Sequence, residues 1–377
     1  MQQTTKLIST EKEFQDLQKL NSKILTEHQN LFLSDNKWAY AILAYDAENQ
    51  PIGYSISCLA YSTWKGVNLL IDEIFTEKPN DDALAKLLYE ATLDFAKNCH
   101  MTQVRQILQQ PESHDFTNFY SGDGKSEGKN KDNNKTRMGV ENVTKTEDWD
   151  ILQLNYDALV ALSSKNLAEE NPKKDIFNKN NEHQIQIQKA EKDDIEGIID
   201  LIQGLAIYEK MEDDCWTNAE ILGEHYLNEN NVVLKNLKSK QPLFEMWTAK
   251  DQNQKLLGFC CIIPCFSTFP DDCIHSKNNN DKKILGKYIY LEDLYVVPEA
   301  RGLGIGIHLI QTMTKWALAN NCRAHRWACL NWNKPSLDFY QQLGAENIVK
   351  NGRVAMYRED LKCIYENDKD GWREIVI

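Results

Sequence analysis

The stretch that most constrains this chain runs from Ile289 to Ile307, I-Y-L-E-D-L-Y-V-V-P-E-A-R-G-L-G-I-G-I. From Ile289 to Val297 it is rich in β-branched and aromatic residues, as a strand is, with acids at Glu292 and Asp293. Pro298 cannot donate to a ladder and ends it. Arg301 to Gly306 then opens a segment of helical period carried by Ile307, Leu309, Ile310, Met313, Trp316 and Ala317. Strand, glycine turn and helix in that order predict an anion site. Glycine admits positive φ and close backbone approach, and a helix start offers free N–H groups and the positive end of its dipole. Two frequent users of such turns are excluded. No Lys-Ser/Thr follows the glycines, as a P-loop requires. The spacing G-x-G-x-G is not the G-x-G-x-x-G of a dinucleotide fold, and no early βαβ unit surrounds it.

The run Arg301-Gly302-Leu303-Gly304-Ile305-Gly306 resembles the R-x-x-G-x-G pyrophosphate loop of the GNAT acetyltransferases. Downstream, W-N-K-P-S-L-D-F-Y-Q-Q-L-G-A (Trp332 to Ala345) is similar to the second cofactor segment of that family. Together with Y-L-E-D-L-Y-V and the upstream L-A-I-Y-E-K-M-E, the motifs resemble the diamine (spermidine/spermine) and thialysine acetyltransferase branch over most of residues 184–361. The resemblance implies acetyl-CoA as cofactor, a small cationic amine as substrate, and direct attack in a ternary complex. It implies a cofactor site at Leu294, Tyr295, Val296, the loop from Arg301 to Gly306 with Ile307, and Asn333, Pro335 and Ser336. Leu294 and Val296 would present backbone groups to the pantetheine arm, Asn333 would touch that arm, and Ser336 would lie near the ribose end. Tyr208, Glu209, Glu292 and Trp332 are the implied substrate contacts.

Acetyl transfer to an amine needs a neutral amine, a stabilised oxyanion and a protonated leaving thiolate. A primary amine is protonated near pH 7, so a base must take its proton. Glu292 is the expected proton acceptor; alternation puts it and Asp293 on opposite sheet faces, so only one is expected to face the site, and the family match picks Glu292. Tyr340, a phenol of pKa ~10, is the expected general acid. Other readings compete at each position: a core tyrosine at 340, an exposed strand acid at 292, an amphipathic helix end at 208 and 209, a buried aromatic at 332. No histidine can be assigned as triad partner to Cys322 or Cys329, so a covalent route is not favoured.

Sliding the sequence along itself brings out a repeat. Tyr61 to Phe75, Y-S-T-W-K-G-V-N-L-L-I-D-E-I-F, resembles the core strand, with Asp72-Glu73 standing 220 residues before Glu292-Asp293. At the same offset F-T-N-F-Y, ending at Tyr120, matches the segment ending at Tyr340, and Ala83 to Lys97 has helical period. Glu147 to Leu154 resembles the last strand of the same branch. The expected fold is α/β (α+β): two tandem GNAT folds, each a mixed, mostly antiparallel twisted sheet flanked by helices. Residues 1–162 form the first copy, 163–183 a linker and 184–377 the catalytic copy. An unrelated α+β first domain is the competing reading. Where the second copy has its glycines, the first has Asp81-Asp82-Ala83-Leu84-Ala85-Lys86. Two carboxylates would face a pyrophosphate, at a cost on the order of 1 kcal/mol or more, so the first copy is expected not to bind acetyl-CoA.

The branch forms homodimers whose subunits shape each other's pockets, which implies here an intramolecular pseudo-dimer with one active site, possible further homodimerisation aside. A net charge of −13 argues against nucleic acid and suits a cationic substrate. No apolar run reaches the ~18 residues of a membrane span, and the start M-Q-Q-T-T-K-L lacks a signal-peptide layout, so a cytoplasmic protein with reduced thiols is expected. Cys260, Cys261, Cys265, Cys273 and His275 invite a metal reading, but no C-x-x-C pair exists and buried strand cysteines fit better; no metal is expected. The polar segments 121–137 and 277–283 read as surface insertions. Two further functions stay open: protein lysine acetylation, with the first copy as docking domain, and acetyl-CoA sensing without turnover.

Overall fold

The computed structural model describes residues 3–79, 81–109, 141–165, 167, 184–227, 231–237, 240, 242–268, 286–349 and 354–360. The segment F-T-N-F-Y, most of the expected linker, Cys273, His275 and both polar insertions lie outside these. In chain order the first part gives β1 (Thr4–Leu7), α1 (Glu11–Leu20), α2 (Gln29–Leu33), β2 (Tyr40–Tyr45), β3 (Pro51–Ser62), β4 (Gly66–Thr76), α3 (Asp82–Asn98), β5 (Gln103–Gln109), β6 (Glu141–Asn142), α4 (Val143–Thr146), β7 (Trp149–Leu154) and α5 (Tyr156–Ser164). The second gives β8 (Gln186–Lys189), α6 (Ile195–Glu209), α7 (Ala219–Leu227), α8 (Val232–Leu237), β9 (Glu245–Lys250), β10 (Leu256–Ser267), β11 (Gly286–Val296), α9 (Ile305–Ala319), β12 (His325–Leu330), α10 (Lys334–Gln342), β13 (Glu346–Asn347) and β14 (Val354–Asp360).

Two seven-stranded sheets result, ordered β1-β2-β3-β4-β5-β14-β6 and β13-β7-β12-β11-β10-β9-β8. Within each, one parallel pair, β4 with β5 or β11 with β12, interrupts antiparallel neighbours. The repeat is therefore real down to its irregularities. Ile56 pairs with Glu73 and Ser57 with Ile71, leaving Asp72 as an extra residue; Cys261 pairs with Asp293 and Ile262 with Leu291, leaving Glu292. Both β-bulges fall on the acids that the repeat aligns.

One expectation is corrected. Glu147 to Leu154 does contain a strand, but β7 lies in the second sheet, antiparallel to β12 from Trp149↔Leu330 to Leu154↔His325. In return β14, from the end of the chain, pairs with β5 from Val354↔Gln109 to Asp360↔Gln103 and completes the first sheet. The copies have exchanged their last strands, a choice that edge pairing leaves open because either strand satisfies the same ladder.

The cores are shared too. One buried cluster joins Ile71 and Leu88 to Ile198, Met246 and Phe259; the other joins Phe14, Leu17 and Ile56 to Leu309, Met313 and Trp327. Tyr61 stacks on Phe244 with ring centroids 4.1 Å apart, and Phe32 meets Phe266 edge-on at 5.5 Å. Cys260, Cys261 and Cys265 are buried in β10 among these apolar side chains. Asp194 is the N-cap residue of α6, and its carboxylate turns back to accept from the Glu191 amide at 3.0 Å and to pair with Lys250 at 2.6 Å. Among the described residues no helix is long and apolar enough to cross a membrane.

Candidate active site

The pivot of the site is the parting of two strands. β11 and β12 pair only from Ile289↔His325 to Leu291↔Trp327, although β11 continues to Val296 and β12 to Leu330. β7 holds β12 along its whole length, while the bulge at Glu292 adds local twist to β11. Beyond Leu291 the β12-facing edge of β11 has no strand partner among the described residues, and a cavity of about 600 Å³ opens there.

The glycine loop lines the cavity. Gly302 and Gly304 adopt φ of 74° and 90°, the left-handed region that a side chain strains to enter. Gly304 is the N-cap of α9 and supplies no side-chain cap, so the first turn presents backbone N–H groups and the positive dipole end. Arg301 donates Nε–H to the Val296 carbonyl at 3.0 Å, and its guanidinium lies 4.9 Å from the Tyr208 ring centroid. Asn333 caps α10, accepting from the Ser336 amide at 3.3 Å, and the Tyr208 hydroxyl donates to the same Oδ1 at 3.0 Å. These features fit acetyl-CoA: an anion cradle, an open strand edge for an amide-bearing arm, and a channel between them.

The copy equivalent is built differently. At the start of α3 the Asp81 carboxylate accepts from the Leu84 amide at 3.0 Å, so a side chain of the chain itself occupies the helix terminus.

Three acids line the same cavity. Glu292 receives Arg105 bidentately, Nη1 donating to Oε2 at 3.1 Å and Nη2 to Oε1 at 3.3 Å. Asp293 lines the same cavity, contrary to strict alternation; the bulge at Glu292 turns both neighbours toward it. Burial, and then the Glu292 charge, push the Asp293 carboxyl well above its ordinary range against the Thr63 hydroxyl, which lowers it, and among the described residues its Oδ2 has no hydrogen-bond partner within bonding distance. Glu209, at the end of α6, is raised to about 7, first by burial and then by Glu292. Tyr340 is 7% exposed and lies 4.8 Å from the Trp327 ring. Burial raises its hydroxyl above the ordinary value of 10, reinforced by the Cys329 thiol and the Glu209 and Asp293 carboxyls, so it stays protonated.

Most of the sequence-predicted set meets in this one cavity: Tyr208, Glu209, Glu292, Leu294, Tyr295, Val296, Arg301, Gly302, Gly304, Ile305, Gly306, Ile307, Asn333, Pro335, Ser336 and Tyr340 line it. Two do not. Leu303 packs against the core, and Trp332 is 41% exposed, its ring 6.0 Å from that of Tyr208 with Lys210 over it at 5.3 Å. Trp332 stands outside because its neighbour Asn333 turns inward to cap α10.

Sequence reasoning missed the wall supplied by the first part of the chain: Ser62, Trp64, Lys65, Arg105, Glu147 and Trp149. The β3–β4 hairpin tip is clamped there by Lys65 to Asp214 at 3.0 Å and by the Trp216 amide donating to the Trp64 carbonyl at 2.9 Å. Trp149 donates Nε1–H to Glu147 at 2.9 Å. The pseudo-dimer idea was the available signal, since a partner that shapes a pocket must lend its own core strand and hairpin.

The family model described as Acetyltransferase (GNAT) family matches residues 207–345, which hold the loop, both strands of the parting and Tyr340. A thialysine N-epsilon-acetyltransferase of Sus scrofa is 30% identical over 171 residues, covering 44% of this chain and 85% of that protein. Its Mus musculus counterpart is 27% identical over 187 residues, covering 48% and 95%. Among solved structures, a GCN5-related glucosamine N-acetyltransferase region of a fungal multi-domain β-N-acetylglucosaminidase shares the fold at a TM-score of 0.50 and 12% identity, over 95% of this chain and 38% of that one. With the parted strands, the glycine loop and a protonated tyrosine in one cavity, the chain belongs to the GNAT family of N-acetyltransferases.

Proposed function

We propose that this enzyme transfers the acetyl group of acetyl-CoA to the primary amine of a small cationic substrate, a polyamine, diamine or thialysine-like compound, by direct attack. The observation that carries this reading is a single cavity lined both by an anion cradle and by Glu209, Glu292 and Asp293. Such acids suit an ammonium, and the Sus scrofa and Mus musculus relatives are named for acetylating thialysine.

Acetyl-CoA, when bound, supplies the thioester. The loop from Arg301 to Ile307 would hold its pyrophosphate, the β11 edge from Leu294 to Val296 its amide-bearing arm, and Asn333, Pro335 and Ser336 the remainder. Glu292, fixed by Arg105, binds the substrate ammonium. Glu209 takes the proton as the amine attacks, because a base that titrates near 7 is matched to a neutral solution. The neutral amine attacks, a C–N bond forms and the C–S bond breaks; Tyr340 gives its hydroxyl proton to the departing sulfur, and the second proton that the nitrogen loses on becoming an amide returns to the Tyr340 oxygen through solvent. The first copy serves as an intramolecular partner that binds no acetyl-CoA, with Asp81 filling its helix terminus.

The test is thiol release from acetyl-CoA with spermidine, spermine, putrescine, thialysine, lysine and a histone-tail peptide. Turnover with a small amine that falls about 100-fold or more in Tyr340→Phe, with acetyl-CoA binding kept, is the expected result. Turnover of the peptide alone, or binding without turnover, sinks the reading.

A further inference from the structure

Arg105 belongs to the copy that lacks the glycine loop, 187 residues before the carboxylate it grips. Its backbone is pinned from both sides. It sits in register with Leu70 on β4 and with Arg358 on β14, in the interior of the first sheet. Its guanidinium is oriented further by Gln103, whose Oε1 accepts from Nη2 at 3.4 Å. Arg105 and Glu292 side chains are 16% and 10% exposed, so the pair is largely withdrawn from water. A planar two-point grip of this kind fixes a carboxylate's direction as well as its position, which a lysine does not do.

We infer that Arg105 is a positioning residue for Glu292, and that through Glu292 the non-catalytic copy sets the proton balance of the active site in the other copy. The inference rests on the acetyltransferase reading of that site. Three carboxyls share the cavity, Glu209 from α6 and Glu292 and Asp293 from β11. Cys329 of β12 and Tyr340 of α10 face the same group and are neutral donors at working pH. Arg105 brings a positive charge to Glu292 directly, and Glu292 is the charge that acts on Glu209. Taking that cation away leaves Glu292 less compensated and makes ionisation of Glu209 harder.

The experiment follows the Glu209 carboxyl by 13C NMR in the full chain labelled at glutamate, with Glu209→Gln identifying its resonance. In Arg105→Gln the Glu209 midpoint rises by about half a pH unit or more. The acid limb of the kcat/KM profile moves with it, and kcat falls about 10-fold, a larger change than that in KM for acetyl-CoA. Arg105→Lys restores the midpoint but not kcat. An unmoved midpoint in Arg105→Gln overturns the inference whatever happens to the rate. If that variant does not fold, full wild-type kcat in Arg105→Lys overturns it equally. Failure of the wild type to acetylate any amine refutes the reading of function, and the titration still decides whether Arg105 acts on this carboxyl pair.

Discussion

Replacing Glu209 by glutamine makes the protein more stable in alkali and, on the proposed mechanism, removes the base of the reaction, two effects of one substitution that can be measured apart. The carboxyl rises from an ordinary 4.5 to about 7 on folding, chiefly through burial and secondarily through the Glu292 charge. A group raised in the folded state contributes stability that is complete below its unfolded pKa and lost as pH climbs through the folded one. The window here runs from about 4.5 to about 7. At about 1.4 kcal/mol per pH unit, the ionised side chain costs about 3 kcal/mol by pH 8.5, against about 1 kcal/mol at pH 5. Glutamine keeps the shape and carries no charge. Urea unfolding of both proteins at pH 5 and 8.5 therefore gives a difference that widens by about 2 kcal/mol in favour of Glu209→Gln, over a constant offset from the side-chain change itself. In the same variant the acid limb of kcat/KM near pH 7 disappears, with the remaining rate at least about 100-fold lower. Parallel stability curves would show that Glu209 is solvated or compensated in the folded protein, and the assignment of the base would fall with them.

Two further outcomes follow from the geometry. Gly304→Ala forces a side chain onto a backbone at φ 90°, costing about 1–2 kcal/mol. If the loop distorts to relieve this, KM for acetyl-CoA rises about 10-fold, and titration calorimetry of acetyl-CoA binding checks it. Residues 184–377 expressed alone lack β7 and Arg105, so they expose the β12 edge and leave Glu292 without its guanidinium. That fragment should be inactive and prone to association by light scattering; a stable, fully active fragment would refute the pseudo-dimer.

The loop and the strand before it were legible because their chemistry is local. A glycine at φ 90° and a proline after a strand state their purpose within a few residues. Glu209 and Tyr340 were legible only through the resemblance, since a helix end and a core tyrosine look the same by periodicity. The bulge at Glu292 was not legible: alternation assumes an unbroken register, and one extra residue brings both Glu292 and Asp293 to the cavity. The strand exchange was hidden for a different reason. β7 and β14 each carry a valid strand pattern, and the pattern says how a strand pairs but not with which copy.

The two acid pairs of the repeat show how one backbone plan can yield a site and a joint. Asp72 and Glu73 occupy the bulge of the first copy as Glu292 and Asp293 occupy that of the second. Around Asp72 the vacancy is closed: Thr268 at the end of β10 donates both its amide and its hydroxyl to Oδ2 at 2.6 Å. Glu73 lies 2.9 Å from the same Thr268 hydroxyl, and accepts from the buried Tyr54 hydroxyl at 2.9 Å and from Asn21. Their hydrogen bonds are thus spent within the protein, and what they secure is the contact between the copies. In the second copy, among the described residues, Asp293 keeps an oxygen without a partner and Glu292 is met by the Arg105 guanidinium, and the same acids open onto the cavity. The first copy has Asp81-Asp82 where the second has its glycines, and what it extends into its neighbour is a hairpin tip, a strand and Arg105. An exchange of last strands makes that contribution permanent, since neither sheet is complete without the other copy's segment.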